Sequence, residues 1–386
     1  SVAEREEDNS SCPISMKFPR YRIDFSSNPT IPVGKRNNKK RDIISSFFGD
    51  IKTSFDVSQI EQKYQNDISS GSFRWVESYS IELSAENKND ESTQSVLNDA
   101  RGVFLSVMFW ECIADLSSSS SPYANNNRLV LSTKSIPGGD YDGMRQMMQG
   151  LVDIYDWYVN YMSSTESTGE IALTRISCSI DRESSLPAII FTRPGSLSTK
   201  SENTAKNDVS SLVIENRIKS WVRRLLVKLS ICPFTKSVSR SGQGLSDVGV
   251  PVGRISYHHS RANGFNEVPK LLRDTWHSIA EMTLAGPGGS KGISSILLAA
   301  PAYDDHFRFW AGPIFAMLES NVSAVDVSHL IGIVCFHPKY ATPDSRSWPG
   351  FGHMHSVPRL AKWVEQYAQT TITTEDDTIV EEAEEV

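Results

Sequence analysis

The stretch from Ile331 to Arg359, IGIVCFHPKYATPDSRSWPGFGHMHSVPR, holds the densest set of side chains able to do chemistry. An apolar run through Ile331, Ile333, Val334, Cys335 and Phe336 reads as a buried strand. It breaks at His337-Pro338 into a loop rich in histidine and arginine. Polar residues just beyond a buried strand are where α/β proteins commonly build sites. Arg346 offers a planar fork for a carboxylate or phosphate, and Arg359 stands in the first turn of a helix expected over 357–367, whose N-terminus adds N–H donors. With Tyr340 and Ser347 these residues make a substrate-binding set, and His337 and His355 are placed to move a proton near neutral pH. The same residues also admit a purely structural reading, in which Arg346 pairs with Asp344 or with an aspartate at 304–305 and staples the loop.

Two other chemistries draw on these residues. Cys232 is the nucleophile candidate, with His337 or His355 as its base. Against it, a thiol at the C-terminal end of a helix faces the negative end of the dipole, which opposes the thiolate. The alternative is a small apolar residue closing a helix before proline. His353 and His355, with His337 or Asp344, form a two-histidine-plus-third-ligand metal set, although H-x-H alone is a weak signal. No cofactor is required by the sequence. Gly286 to Gly292 is Gly-rich, yet it precedes a strand and lacks the G-K-[ST] that opens a phosphate-binding helix.

The elements that must position these groups follow from patterning. Five cysteines (Cys12, Cys112, Cys178, Cys232, Cys335) lie far apart without a CxxC pair. This argues against a disulfide framework and leads us to expect a reducing compartment, the cytoplasm or an organelle stroma or matrix. Ser1 in first place fits either removal of an initiator Met or cleavage of a targeting peptide. The formal charge of −7 is concentrated at the end: Glu375 to Val386 holds seven acids and no base, and the remaining 39 acids equal the 39 Lys and Arg. A balanced body does not suggest nucleic-acid binding, and no apolar run has the length of a membrane span.

In the first half, alternation predicts strands over 16–25, 72–83, 129–133, 171–180 and 188–191, with helices over 96–116 and 144–162 and a turn at Gly138 to Gly143. The Met and aromatic stripe of the second helix reads as core. Residues 193–208 are Ser-, Thr- and Asn-rich and read as a linker, and all eight histidines lie beyond them. Ile214, Ile218, Trp221, Val222, Leu225, Leu226 and Leu229 then mark an amphipathic helix that stops at Cys232-Pro233. Its outer face carries Arg217, Lys219, Arg223, Arg224 and Lys228, a surface for a protein partner or for the acidic tail, or simply a solvated face. Strands over 252–258, 293–300 and 329–336 alternate with helices over 266–284, 304–318 and 357–367, the pattern of βαβ units.

From Trp221 to about Tyr367 the sequence resembles an uncharacterised family, domain of unknown function 1415. A helix with a Trp near its start runs into Cys232-Pro233-Phe234. An apolar strand with a following proline, Ile296 to Pro301, leads to an aromatic-rich helix expected around Phe307 and Phe309. Phe336-His337-Pro338 with Tyr340 is similar to the family's F-H-P-x-Y, and Arg346-Ser347 with Pro349 and His355 to its R-S-P…H element. Two departures stand out: Pro358 occupies the place of the family's arginine, with Arg359 one residue later, and the acidic segment between the motifs is short. The resemblance names no reaction.

The expectation is therefore an α/β (α+β) protein of two domains. Residues 16–192 would form a mixed or antiparallel sheet with helices, and 209–369 a sheet built from βαβ units with flanking helices. Segments 1–15 and 370–386 would be disordered. Its function is expected to be that of an enzyme on a small phosphate- or carboxylate-bearing substrate. The alternative is a non-catalytic interaction or assembly protein.

Overall fold

The computed structural model describes residues 54–76, 101–118, 121, 126–133, 141–165, 175–184, 186–195, 210–228, 232, 234–244, 252–264, 267–285, 292–303, 313–328, 331–339 and 352–354. It is a mixed α/β structure with sheets of mixed strand orientation. The strand expected at 16–25, the helix at 357–367 and both terminal segments lie outside the described residues.

In the first half, α1 (Ser54–Lys63) and α2 (Gln65–Ser69) lead into β1 (Phe73–Trp75). They are followed by α3 (Arg101–Ser117), β2 (Arg128–Ser132), α4 (Tyr141–Thr165), β3 (Ser177–Asp181) and β4 (Ala188–Thr192). The sheet order is β1-β2-β4-β3. Strand β1 runs parallel to β2, while β2–β4 and β3–β4 are antiparallel, with Val130 opposite Ile190 and Ile180 opposite Ile189.

Helix α3 is apolar nearly all round and correspondingly buried from Gly102 to Leu116, apart from Glu111 and Asp115. Trp110 meets Tyr155 of α4 edge-on with ring centroids 5.9 Å apart, the geometry that aromatic quadrupoles favour.

The second half contains α5 (Ser211–Trp221), which continues as π-helix through Val222–Lys228, then β5 (Arg240–Ser241), β6 (Gly253–His259), α6 (Val268–Ala285), β7 (Ile293–Ala299), α7 (Phe315–Ala324), β8 (Val334–Phe336) and β9 (Gly352–Met354). The expected βαβ unit is β6-α6-β7: the two strands are parallel, with Tyr257 opposite Leu297. Strand β5 adds antiparallel to the other edge of β6. Strands β8 and β9 pair antiparallel, with Cys335 opposite His353.

Four local expectations change. Strand β1 is three residues long and Val76 is already helical. Tyr141-Asp142-Gly143, expected to end a turn over 138–143, instead begins α4, with Asp142 at the end of the helix where an acid favours the dipole. Helix α7 runs past Leu318 to Ala324, because Val322 and Ala324 are drawn into the core. Within 329–336 the described strand begins only at Val334.

Elements on either side of residues 193–208 share one hydrophobic core. Val107, Trp110 and Tyr155 belong to the same cluster as Leu272, Trp276, Met317 and Val325. Two glycines permit this approach. A Cβ at Gly102 of α3 would collide with the Val325 carbonyl oxygen, and one at Gly150 of α4 would lie 2.9 Å from Ala324 Cβ. His277 Nε2 of α6 also meets Glu111 Oε1 of α3 at 2.9 Å. No helix among the described residues is long and apolar enough to cross a membrane.

Candidate functional site

The described part of the site begins where β8 ends. Cys335 is buried, while Val334 and Phe336 on the other face of the strand are exposed, as alternation in a strand requires. His337 follows at 5% exposure. Its Nδ1 accepts the backbone N–H of Lys339 at 3.0 Å, which closes the His-Pro-Lys turn. An acceptor at Nδ1 places the proton of the neutral ring on Nε2, so the sequence His-Pro-x sets the tautomer by its own backbone.

The Trp221 ring packs against Phe336 in a T-shaped contact, with centroids 4.9 Å apart and planes at 67°. The residue before His337 is thereby tied to the last turn of α5. Beyond Trp221 the chain passes into the π-helical segment 222–228, a geometry that is uncommon and that accompanies functional sites more often than chance. Cys232 follows, its N–H directed at the Leu226 carbonyl at 3.5 Å. The thiol is half-buried and contacts Thr235 Oγ1 at 3.3 Å; its hydrogen-bond partner is this hydroxyl and not His337. The other described cysteines, Cys112, Cys178 and Cys335, are buried. Burial pushes the thiol of each upward, that of Cys112 to about 12, which removes them as nucleophiles near neutral pH.

Tyr340, Asp344, Arg346, Ser347, His355 and Arg359 lie outside the described residues. The backbone of His353 is in β9, in register opposite Cys335. Among the described residues no group of three or more His, Cys, Asp or Glu side chains is arranged to hold a metal ion.

Three polar networks escaped the sequence reading because each joins residues distant in the chain. In the first, His258 of β6 meets Ser278 Oγ of α6 through Nδ1 at 2.8 Å. Its Nε2 lies 3.3 Å from Glu281 Oε2 and 3.1 Å from Ser256 Oγ. Ser278 donates its own proton to the Asp274 carbonyl, so its oxygen accepts from the imidazole. The hydrogen bond from His258 lowers the Glu281 carboxyl below its ordinary range, against the opposing effect of burial.

In the second, Arg74 of β1 reaches Asp115 at 2.5 Å and Glu111 at 3.9 Å, while His277 holds the other Glu111 oxygen. Two carboxylates four residues apart in an otherwise apolar helix were the available signal, since like charges at that spacing call for cations nearby.

The third centres on buried Asp181. Burial raises the cost of its charge, but hydrogen bonds from Lys63, Ser184, Tyr64 and the Glu183 N–H outweigh that cost and hold the carboxyl well below the usual range.

Residues 213–347 match the model of a family described as "Protein of unknown function (DUF1415)", and no family matches the first half. The matched span runs from the start of α5 to Ser347 and includes Trp221, Cys232, Phe336 and His337. No curated protein and no solved structure matches the chain.

Proposed function

We propose that this protein is an enzyme acting on a small phosphate- or carboxylate-bearing substrate at the loop that follows β8. His337 is its general acid or base. The observation that carries this reading is the fixed tautomer of His337: a nearly buried imidazole whose Nδ1 is occupied by the Lys339 N–H and whose exchangeable proton belongs to Nε2. A ring oriented in this way is prepared to give or take a proton at one atom without reorganising.

In this reading Arg346 and Arg359 orient the anion, Tyr340 and Ser347 add hydroxyl donors, and His355 is the second proton carrier. Cys232 lines the approach, and the Trp221–Phe336 contact ties the end of α5 to the residue before His337. The test is a thermal-shift and turnover screen of phosphate- and carboxylate-bearing metabolites, with elemental analysis of the purified protein. Wild type is compared with Arg346→Ala and with His337→Asn, in which Oδ1 replaces Nδ1 as the acceptor for Lys339.

A second reading, an interaction or assembly protein, draws on exposed apolar residues at the start of α5 and on β8. Leu212 is 66%, Val213 40%, Val334 40% and Phe336 37% exposed. A concentration-dependent change of mass in sedimentation, lost in Leu212→Ser or Val334→Ser while the metabolite screen stays silent, would favour it.

A further inference from the structure

We propose that Arg240 of β5 and Arg254 of β6 form a second anion site, one that takes a phosphate-bearing ligand. The two residues are direct partners in the antiparallel β5–β6 register. The Ile255 N–H donates to the Ser239 carbonyl one position along, so the Arg240–Arg254 pair falls at the non-hydrogen-bonded position of the ladder. There the Cα atoms are about 4.5 Å apart and both side chains leave the same face at their closest spacing. Like charges placed directly opposite one another oppose strand pairing. Ordinarily a carboxylate between them offsets this. Here both arginines are exposed, and neither makes an ion pair among the described residues. Glu281, whose ionisation Arg254 favours, is held by His258 instead.

The surroundings reinforce the positive field. Residues 211–260 contain eight of the 39 Lys and Arg (Arg217, Lys219, Arg223, Arg224, Lys228, Lys236, Arg240, Arg254) and only two acids, Glu215 and Asp247. Glu215 is occupied by Lys219. A balanced chain thus carries a strongly basic segment, which raises the local concentration of anions.

The number of donors points to the ligand class. One guanidinium fork saturates the two oxygens of a carboxylate, whereas two forks side by side suit the three or four oxygens and double charge of a phosphate group. The ligand is accordingly a phosphate ester or a pyrophosphate. The Cys232–His337 region has no part in this site, and the inference stands apart from the reading of His337.

The experiment titrates inorganic pyrophosphate into the full chain by calorimetry at fixed ionic strength, with melting curves recorded alongside. Saturable one-to-one binding is expected. Arg240→Ala and Arg254→Ala should each weaken it roughly tenfold or more, as loss of charge-assisted hydrogen bonds implies. Arg240→Lys and Arg254→Lys should also weaken it, because charge is kept and the fork is lost. Arg223→Ala, an equal change of charge on the π-helical segment, and Arg346→Ala, at the other proposed anion site, should leave the affinity within about a factor of two, the range expected for screened surface charge. Without pyrophosphate, Arg254→Ala should melt no lower than wild type, since a repulsion has been removed. No saturable binding, or a loss in Arg223→Ala equal to that in Arg254→Ala, overturns the proposal. Loss in Arg346→Ala alone would assign the pyrophosphate to the site proposed after β8 and overturn it as well.

Discussion

The edge-to-face contact of Trp221 with Phe336, centroids 4.9 Å apart, joins two motifs separated by more than a hundred residues. Trp221 closes the α-helical part of α5, ahead of the π-helical segment and Cys232. Phe336 ends β8 directly ahead of His337. One aromatic pair therefore ties the end of α5 to the end of β8.

Removing either ring should loosen that relationship. Trp221→Ala and Phe336→Ala are each expected to cost about 1–3 kcal/mol, less than for fully buried aromatics because Phe336 is partly exposed. A double-mutant cycle in urea should give a coupling of about 0.5–1.5 kcal/mol, the value typical of such pairs. Additivity of the two losses would show that the rings do not support each other.

The two helices that carry Gly102 and Gly150 approach the end of α7 only because a Cβ is missing. Gly102→Ala should destabilise by about 1–3 kcal/mol through overpacking against the Val325 backbone, despite the better helix propensity of alanine. Gly150→Ala meets a side-chain methyl, Ala324 Cβ, and should cost less. Denaturation that shows Gly102→Ala as stable as wild type would contradict the close packing of α3 on α7.

Acid stability should reside in Asp181 and Glu281. Both carboxyls are lowered in the folded state, so their contribution is complete above the unfolded values of about 3.9 and 4.3. It is lost as pH falls through the lower folded values. Asp181→Asn should flatten the fall in stability below about pH 4, and His258→Gln should remove the Glu281 part. Melting curves across that range decide it; an unchanged acid limb in Asp181→Asn would mean the network is not held in solution.

Cys232 is the described cysteine left partly exposed. Iodoacetamide at neutral pH should modify it ahead of Cys112, Cys178 and Cys335, as peptide mass mapping can show. Because its hydrogen-bond partner is Thr235 rather than His337, Cys232→Ser should retain turnover on any substrate the screen identifies. Loss of turnover would make the thiol the nucleophile.

The parts of the fold legible in the sequence are those whose signal is local. The strand expected at 252–258, the helix at 266–284 and the strand at 293–300 matched the β6-α6-β7 unit within a residue or two. Helix α7 runs past its expected end at Leu318 because burial of Val322 and Ala324 carries it through Asn321 and Ser323, residues of low helix propensity. The shared core was not legible either: His277 and Glu111 are 166 residues apart, and no periodicity encodes such a meeting. At the site, the motif around His337 announced a turn, but its tautomer depends on one backbone N–H, from Lys339, which only coordinates reveal.

The most direct test of the account is turnover and ligand-induced melting of wild type beside His337→Asn across the phosphate- and carboxylate-bearing metabolites. The account predicts at least one anion that stabilises both proteins and is converted by wild type alone, with the loss lying in kcat rather than KM. A substrate converted equally well by His337→Asn would contradict it, and so would a screen in which no anion is bound or converted.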